Sequence, residues 1–200
     1  MKTGLKSFSL AGVVFLLFCS CHSTKVLSGQ GNYTVSIMIL NEKDKPICDY
    51  TLLLTDGSAF QSGITNQSGI CVFQKLPPGE LELTGTKNAF SRLKGTVQVQ
   101  NSRNKLLCFK VYSAEYVLRQ AMSLYENQKY EQGCAFLEEL YIEENCSVSK
   151  ILHLYKAYGA IKCGELKKAE EELFLSEKIH LTPVEPLHDE IELLLKEELK

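Results

Sequence analysis

The chain has little from which a metal centre or a catalytic site could be built. Its 200 residues contain no tryptophan and only 4 histidines. No P-loop, GxSxG, HExxH or EF-hand sequence is present. The carboxylates lie mainly in polar stretches rather than in apolar surroundings that would shift a pKa. We therefore expect no metal and no cofactor, and we expect the chain not to be an enzyme.

The chain also lacks an excess of charge of one sign. Its formal net charge is −2, which argues against a nucleic-acid partner. The charge is unevenly divided, because residues 22–112 carry a net +4 and residues 113–200 a net −8. The acidic second part either presents solvated helix faces or faces a basic partner.

The N-terminus has the layout of a secretory signal. Lys2 and Lys6 precede an apolar run over residues 10–18, which is shorter than the roughly 20 residues that span a bilayer. Ser20 then stands directly before Cys21. This arrangement resembles the lipobox of bacterial lipoproteins, in which the cysteine becomes the first mature residue and carries the lipid. The resemblance implies a signal peptide over residues 1–20 and lipidation at Cys21; the alternative is an ordinary cleaved signal.

The residues after the signal give an expected location. His22, rather than Asp, follows Cys21. By resemblance to the enterobacterial sorting rule, nothing retains such a lipoprotein at the inner membrane. The resemblance therefore implies a lipid-anchored protein of the bacterial cell envelope and favours the outer membrane. Residues 21–32 are small and polar and are expected to form a flexible tether.

Six cysteines remain beyond Cys21, and their spacing contains neither CxxC nor a zinc-ligand pattern. Most of them lie in apolar strand or helix patterns, so we expect mainly buried, unpaired thiols. An exported location also permits disulfides. Cys71 and Cys108 are the pair that we expect to be linked if a disulfide forms. The six are Cys48, Cys71, Cys108, Cys134, Cys146 and Cys163.

Residues 33–112 have the period-two pattern of strands, interrupted by turn sequences. Seven short runs and no helical segment predict a seven-stranded antiparallel sandwich. The runs cover residues 34–40, 48–55, 60–65, 70–76, 80–83, 93–100 and 105–112.

Three motifs in this region carry a family resemblance. They are Lys45-Pro-Ile-Cys48, Thr65-Asn-Gln-Ser-Gly-Ile-Cys-Val-Phe73 and Leu76-Pro-Pro-Gly-Glu-Leu-Glu-Leu83. Together they resemble the carboxypeptidase regulatory-like domain, which is a transthyretin-like sandwich, although Leu81 stands where that family has an aromatic residue. The resemblance implies a non-catalytic spacer or binding module.

From Ser113 onward the apolar residues follow a helical period, and five helices are expected over residues 113–200. Ser113 is a suitable N-cap for the first helix, and Gly164 ends the third. Aligning Tyr130 with Leu166 gives a repeat of 36 residues. This pattern resembles two tetratricopeptide repeats with a capping helix; the alternative is a generic five-helix array of α-hairpins.

In tetratricopeptide arrays the first helix of each repeat lines the concave face. The resemblance therefore implies a groove that binds an extended or helical peptide, flanked by Glu115 and Lys162. The alternative is that the fifth helix or the sandwich covers this face. The groove would be lined by Leu118, Met122, Tyr125, Leu154, Tyr158 and Ile161.

Two functions remain open at this point. The first is a membrane-anchored, non-catalytic lipoprotein that binds an envelope protein or peptide through its helices. The second is an envelope glycan-binding or structural lipoprotein that uses the sandwich loops. Exposed aromatic residues on the loops would favour the second function, but the loops offer only Phe60 and Phe90. The sequence therefore favours the first.

Overall fold

The computed structural model describes residues 33–100, 104–143, 147–179 and 185–199. The predicted signal peptide, the lipidation position Cys21 and the tether lie outside these residues. The described residues form nine strands and five helices. The strands are β1 (Tyr33–Leu40), β2 (Thr51–Thr55), β3 (Phe60–Ile64), β4 (Ile70–Leu76), β5 (Gly79–Thr86), β6 (Phe90–Ser91), β7 (Leu93–Val99), β8 (Asn104–Lys110) and β9 (Leu140–Tyr141).

The helices all follow β8 in the chain. They are α1 (Ala114–Glu126), α2 (Tyr130–Glu138), α3 (Ser147–Lys162), α4 (Leu166–Glu177) and α5 (Glu185–Glu198). The expected order, a strand-rich part followed by helices, is confirmed. None of the helices in the described ranges is long and apolar enough to cross a membrane.

Seven of the strands form two sheets that pack face to face. One sheet has the order β4-β1-β8 and the other the order β3-β2-β5-β7. Alternate side chains of both sheets point inward and form one apolar core. The largest side chains in it with almost no exposure include Ile37 and Ile39 of one sheet and Leu52, Leu54 and Leu83 of the other.

The prediction that the sandwich is antiparallel throughout is wrong for one pair of strands. β1 and β8 run parallel, in register from Thr34 opposite Asn104 to Leu40 opposite Lys110. The first and last strands of the sandwich therefore lie side by side and point to the same end. The Val111 N–H continues this pairing by donating to the Leu40 carbonyl at 2.9 Å. Consequently the chain leaves the sandwich beside the turn that follows β1.

The short strands β6 and β9 join the sandwich to the helices. They pair antiparallel, although Phe90 and its partner, Tyr141, are 51 positions apart in the chain. Flanking bonds extend the pairing: the Ala89 N–H donates to the Tyr141 carbonyl at 3.0 Å, and the Arg92 N–H donates to the Glu139 carbonyl at 2.7 Å. The predicted boundary at residue 112 therefore falls between β8 and α1, but backbone hydrogen bonds cross from one region to the other.

The start of α1 is fixed to the sandwich as well. Ser113 is the N-cap, and its hydroxyl accepts the Tyr116 N–H at 3.4 Å. The same hydroxyl donates to the Glu42 carboxylate at 3.0 Å, and Glu42 lies in the turn after β1. The cap therefore orients α1 against the sandwich as well as starting the helix.

The two helical hairpins have equivalent connections. A three-residue loop joins α1 to α2 and another joins α3 to α4, and each has a positive φ at its middle residue, 58° at Gln128 and 76° at Gly164. The last loop residue closes each helix in the same way, because the Lys129 N–H donates to the Leu124 carbonyl and the Glu165 N–H to the Ala160 carbonyl. Each equivalent pair lies 36 residues apart.

Candidate interaction surface

The structure places three of the six predicted groove residues in the core. Tyr125, Leu154 and Ile161 have relative exposures of 6%, 0% and 4%. Leu154 and Ile161 belong to the core that α3 shares with α4 and α5, because α3 is the central helix of the array. The expected groove of six open apolar residues is therefore not formed.

The other three predicted residues are accessible to different extents. Met122 has a relative exposure of 41%, whereas Leu118 and Tyr158 are partly buried. Tyr158 contacts both helical cores, so it is only partly a surface residue. Of the predicted groove, these three residues could still contact a partner.

Two residues that the sequence analysis missed complete this surface. Tyr155 is partly buried, and its hydroxyl donates to the Met122 sulfur at 3.3 Å, which joins α1 to α3 at the surface. Burial raises the pKa of Tyr155. Ile151 lies one helical turn before Tyr155 and is also partly buried. We call the surface made by Leu118, Met122, Ile151, Tyr155 and Tyr158 the α1–α3 face.

Tyr125 holds the two helices of this face together from behind. Its hydroxyl donates to the Tyr155 carbonyl at 3.1 Å, so a side chain of α1 is bonded to the backbone of α3. Its ring packs where Gly133 of α2 and Gly159 of α3 have no side chain, since a Cβ at either glycine would collide with Tyr125. Burial is the main cause of the raised pKa of Tyr125. Tyr125 thus forms a buried floor beneath the α1–α3 face.

Aromatic rings and one cation mark the far end of the face. The rings of Tyr125, Tyr130 and Tyr158 are mutual neighbours, with centroids 5.6–6.4 Å apart. The Lys162 ammonium lies 5.8 Å from the centre of the Tyr158 ring. At the opposite end Glu115 pairs with Arg119 on the surface of α1. Lys162 is therefore the flanking charge that acts directly on the aromatic surface.

We call the pairing of β6 with β9 the joint. A separate cavity of about 290 Å³ lies between the joint and the helices. Its polar lining includes Arg92, His153, Lys156 and Lys178. His153 is already paired with Glu172 at 2.6 Å and Lys156 with Glu138 at 2.8 Å. His153 and Lys156 are thus each held by a carboxylate. The Arg92 guanidinium lies 5.8 Å from the centre of the Tyr141 ring, and the Lys178 ammonium lies 4.4 Å from the centre of the Phe174 ring, so all four basic groups have contacts within the protein.

One group in the described residues has a composition suited to a metal ion. His188, Asp189 and Glu192 place one ligand atom each within 4.8 Å of one another. The Lys196 ammonium binds the Glu192 carboxylate at 2.5 Å and lowers the pKa of Glu192. A cation would have to displace this lysine from a partly exposed carboxylate, so we do not assign a metal here.

The expected pairing of Cys71 with Cys108 is wrong. Cys71 lies on β4 opposite Ile37 and faces the core, whereas Cys108 lies on β8 opposite Met38 and is exposed. The two strands are separated by β1, and the two side chains point to opposite faces of the sheet. In the described ranges all five cysteines are free thiols. Cys146 lies outside those ranges.

No family model matches this chain, and no curated protein matches it significantly. Solved structures resemble part of it. The Bacillus anthracis TIE protein is 18% identical with a TM-score of 0.38, covering 42% of this chain and 17% of that one. The major pilin subunit BcpA of Bacillus cereus is 12% identical with a TM-score of 0.36, and the match covers 42% of this chain and 30% of that one. The major pilin SpaD of Corynebacterium diphtheriae is 14% identical with a TM-score of 0.37, and the match covers 41% of this chain and 30% of that one.

This chain therefore spans less than a third of the length of each of these proteins. Its own two sheets and their shared core identify the first region as a β-sandwich.

Proposed function

We propose that this chain is a membrane-anchored, non-catalytic lipoprotein that binds a protein or peptide in the cell envelope. The α1–α3 face is the observation that carries this proposal. It combines one exposed methionine with two partly buried tyrosines, residue types that are enriched in protein interfaces. Tyr125 fixes the helices beneath it, so a partner would meet a preformed surface.

The internal repeat supports a tetratricopeptide-like arrangement of the four hairpin helices. Positions 36 residues apart are buried alike, as with Ala121 and Ala157 and with Leu137 and Leu173. In such an arrangement α1 and α3 are equivalent first helices and lie side by side. The α1–α3 face is then the inner surface of the array, and the sandwich spaces it from the lipid.

The glycan-binding alternative receives less support from the sandwich loops. Phe90 is part of the β6–β9 joint and packs against the sandwich core. Phe60 begins β3 and is only partly exposed. A sugar-binding platform needs aromatic faces open to solvent, and neither of these two residues provides one.

Site-specific photo-crosslinking in the native membrane tests the binding surface. A photoreactive phenylalanine at Met122 should capture an envelope protein or peptide. The matched control is the same probe at Phe174 on α4, which is 58% exposed but lies off the α1–α3 face. Equal capture at both positions would contradict the assignment of this face.

A variant that places a charge on the α1–α3 face tests the same binding surface in a second way. Met122→Glu should abolish capture of the partner and leave the midpoint of thermal unfolding within about 2 °C, because an exposed position tolerates a charge. If Met122→Glu binds the partner as well as the unaltered protein does, the α1–α3 face is not the binding site.

The proposed membrane anchor is tested separately. Cys21→Ala should abolish incorporation of a labelled fatty acid and shift the protein from the detergent phase to the aqueous phase. Cys19→Ala is the matched control and should label normally. Labelling of Cys21→Ala would show that the lipid is attached elsewhere or that a different sequence directs it.

A further inference from the structure

Two thiols lie close together where the helical hairpins meet. Cys134 is on α2 and Cys163 directly follows α3, and both are partly exposed. The Cys163 N–H donates to the Gly159 carbonyl at 3.0 Å, so Cys163 continues the helical face of Gly159 by one turn. A Cβ at Gly159 would collide with the Cys134 sulfur. The face that carries Gly159 and Cys163 is thus the face that Cys134 contacts.

The surroundings of the two thiols support the same placement. The Tyr125 hydroxyl lies 3.5 Å from the Cys134 sulfur and holds that side chain against α3. Burial raises the pKa of Cys163, and the neighbouring Cys134 raises it further through an electrostatic interaction and a side-chain hydrogen bond. The two sulfur atoms therefore share one small site.

We propose that Cys134 and Cys163 form a reversible disulfide that links the two helical hairpins. The oxidant is a disulfide, either small-molecule or protein-bound. One cysteine thiolate attacks it, forms a mixed disulfide and releases one thiolate. The second cysteine thiolate then attacks the sulfur of the first cysteine, forms the intramolecular bond and releases the second thiolate. The two cysteines lose two protons and two electrons, and the oxidant is reduced to two thiols.

The position of this bond gives it a structural consequence. Cys134 belongs to the first hairpin and Cys163 to the loop of the second, so the bond would add a covalent link between hairpins that otherwise meet through packing, hydrogen bonds and ion pairs. Tyr125 contacts Cys134 and also bonds to the backbone of Tyr155 on the α1–α3 face. Oxidation would therefore stiffen the floor of that face. The disulfide itself does not depend on the proposed function.

The full chain contains its own control for the experiment. Cys108 is exposed on the outer face of the sandwich, far along the chain from the other two cysteines. Treatment with oxidised glutathione at mildly alkaline pH, where more thiolate is present, should convert Cys108 to a glutathione adduct. In the same sample, peptide mapping should find Cys134 and Cys163 joined to each other without glutathione.

The oxidised protein should also be more stable. The midpoint of thermal unfolding should rise by about 5 °C and return on addition of dithiothreitol, because the bond closes a long loop in the unfolded chain. Cys134→Ser should show no such rise, and its Cys163 should carry glutathione instead. Cys108→Ser should still show the full rise.

Three results would overturn the proposal. The first is glutathione on both Cys134 and Cys163 in the protein whose Cys108 has reacted. The second is a bond from either residue to Cys146 instead. The third is a rise in the midpoint of thermal unfolding that persists in Cys134→Ser.

Discussion

A buried tyrosine lies at the centre of each region of this molecule, and the two differ in what they connect. Tyr50 precedes β2, is fully buried, and donates to the Gly85 carbonyl at 3.1 Å and the Ser91 carbonyl at 2.8 Å. Tyr125 lies in the last turn of α1 and donates to the carbonyl of Tyr155. Both rings pack against glycines that leave no room for a side chain. In each region, therefore, a buried tyrosine hydroxyl links separate backbone segments by hydrogen bonding to their carbonyls.

The cores around these residues differ in extent. Tyr50 lies in a single core to which both sheets contribute. The helices form two smaller cores, and Tyr158 packs against both of them. The core around Tyr125 also receives Ala89 and Tyr112 from the sandwich side of the joint. The sandwich therefore has a core of its own, whereas the first hairpin packs partly against its neighbours.

The largest expected effect comes from removing the tyrosine of the sandwich. Tyr50→Ala should lower the free energy of unfolding by about 3–5 kcal/mol, because it leaves a cavity and removes the donor for two buried carbonyls. Denaturant unfolding followed by circular dichroism measures this. If the backbone bonds of the joint couple the regions, the helical signal should be lost together with the sandwich.

A surface aromatic residue provides the matched control. Phe174→Ala removes a ring that is 58% exposed and should cost no more than about 1 kcal/mol, including its contact with Lys178. If Tyr50→Ala were as mild as Phe174→Ala, Tyr50 would not organise the sandwich core.

Local sequence patterns predict helices, strands and their ends better than they predict which strands pair with each other. Ser113 was predicted as an N-cap, and its hydroxyl accepts the Tyr116 N–H. Gly164 was predicted to end α3 and has the positive φ that favours glycine. Both features depend on residues within a few positions. The β6–β9 pairing and the parallel β1–β8 pairing join distant segments, so no local alternation or turn sequence could indicate them.

The candidate site shows the same limit. The helical period correctly indicated that Leu154, Tyr158 and Ile161 share an apolar stripe. It could not indicate which neighbours cover that stripe, because α3 is apolar around most of its circumference and packs against several helices. Leu154 and Ile161 lie in the core of the second hairpin. Tyr155 remains partly exposed at the surface, and it lies beside the predicted stripe rather than on it.

The second prediction tests the equivalence of the two hairpins. Ala169 in the second hairpin corresponds to Gly133 in the first, and Ile161 corresponds to Tyr125. Gly133→Ala should lower the free energy of unfolding by about 1–3 kcal/mol, because the new methyl group meets the Tyr125 ring. This loss is expected although alanine favours a helix more than glycine does.

Combining Gly133→Ala with Tyr125→Ile reproduces the pair found in the second hairpin. The double variant should lose less stability than the sum of the two single variants, with a coupling of about 1 kcal/mol or more in a double-mutant cycle. Ala135→Gly is an exposed control for helix propensity alone. Strict additivity of the two changes would contradict the contact between the ring and position 133.

The third prediction separates the tyrosine hydroxyl from its ring. Burial raises the pKa of Tyr50 well above its ordinary value. In the unfolded chain a tyrosine loses its proton near pH 10, whereas Tyr50 keeps it in the fold, so stability should fall as pH rises above about 10. Tyr50→Phe should cost about 1–2 kcal/mol at neutral pH. It should also flatten the decline between pH 9 and 11, as measured by denaturant unfolding at each pH.

The smallest effect is expected for an ion-pair network that links the hairpins. Glu138 of α2 pairs with Lys156 of α3 at 2.8 Å and with Lys168 of α4 at 3.3 Å. Burial alone would raise the pKa of Glu138, but the two lysines lower it below its ordinary value. The stabilisation should therefore be present above pH 5 and be lost as the pH falls through the lowered pKa. Because Glu138 is 46% exposed, Glu138→Gln should cost less than about 1 kcal/mol at low salt.

Two comparisons test whether the stability lost in Glu138→Gln comes from the ion-pair network: a change in salt concentration and a variant of a second carboxylate. The effect of Glu138→Gln should shrink in 1 M NaCl, where charges on the surface are screened. Glu139→Gln is the matched control, because Glu139 is the adjacent exposed residue and contributes its backbone carbonyl to the joint. Equal losses for the two variants, or a loss for Glu138→Gln that salt leaves unchanged, would mean that the Glu138 ion pairs do not stabilise the contact between the hairpins, which would then depend on the packing and the hydrogen bonds around Tyr125 and Tyr158.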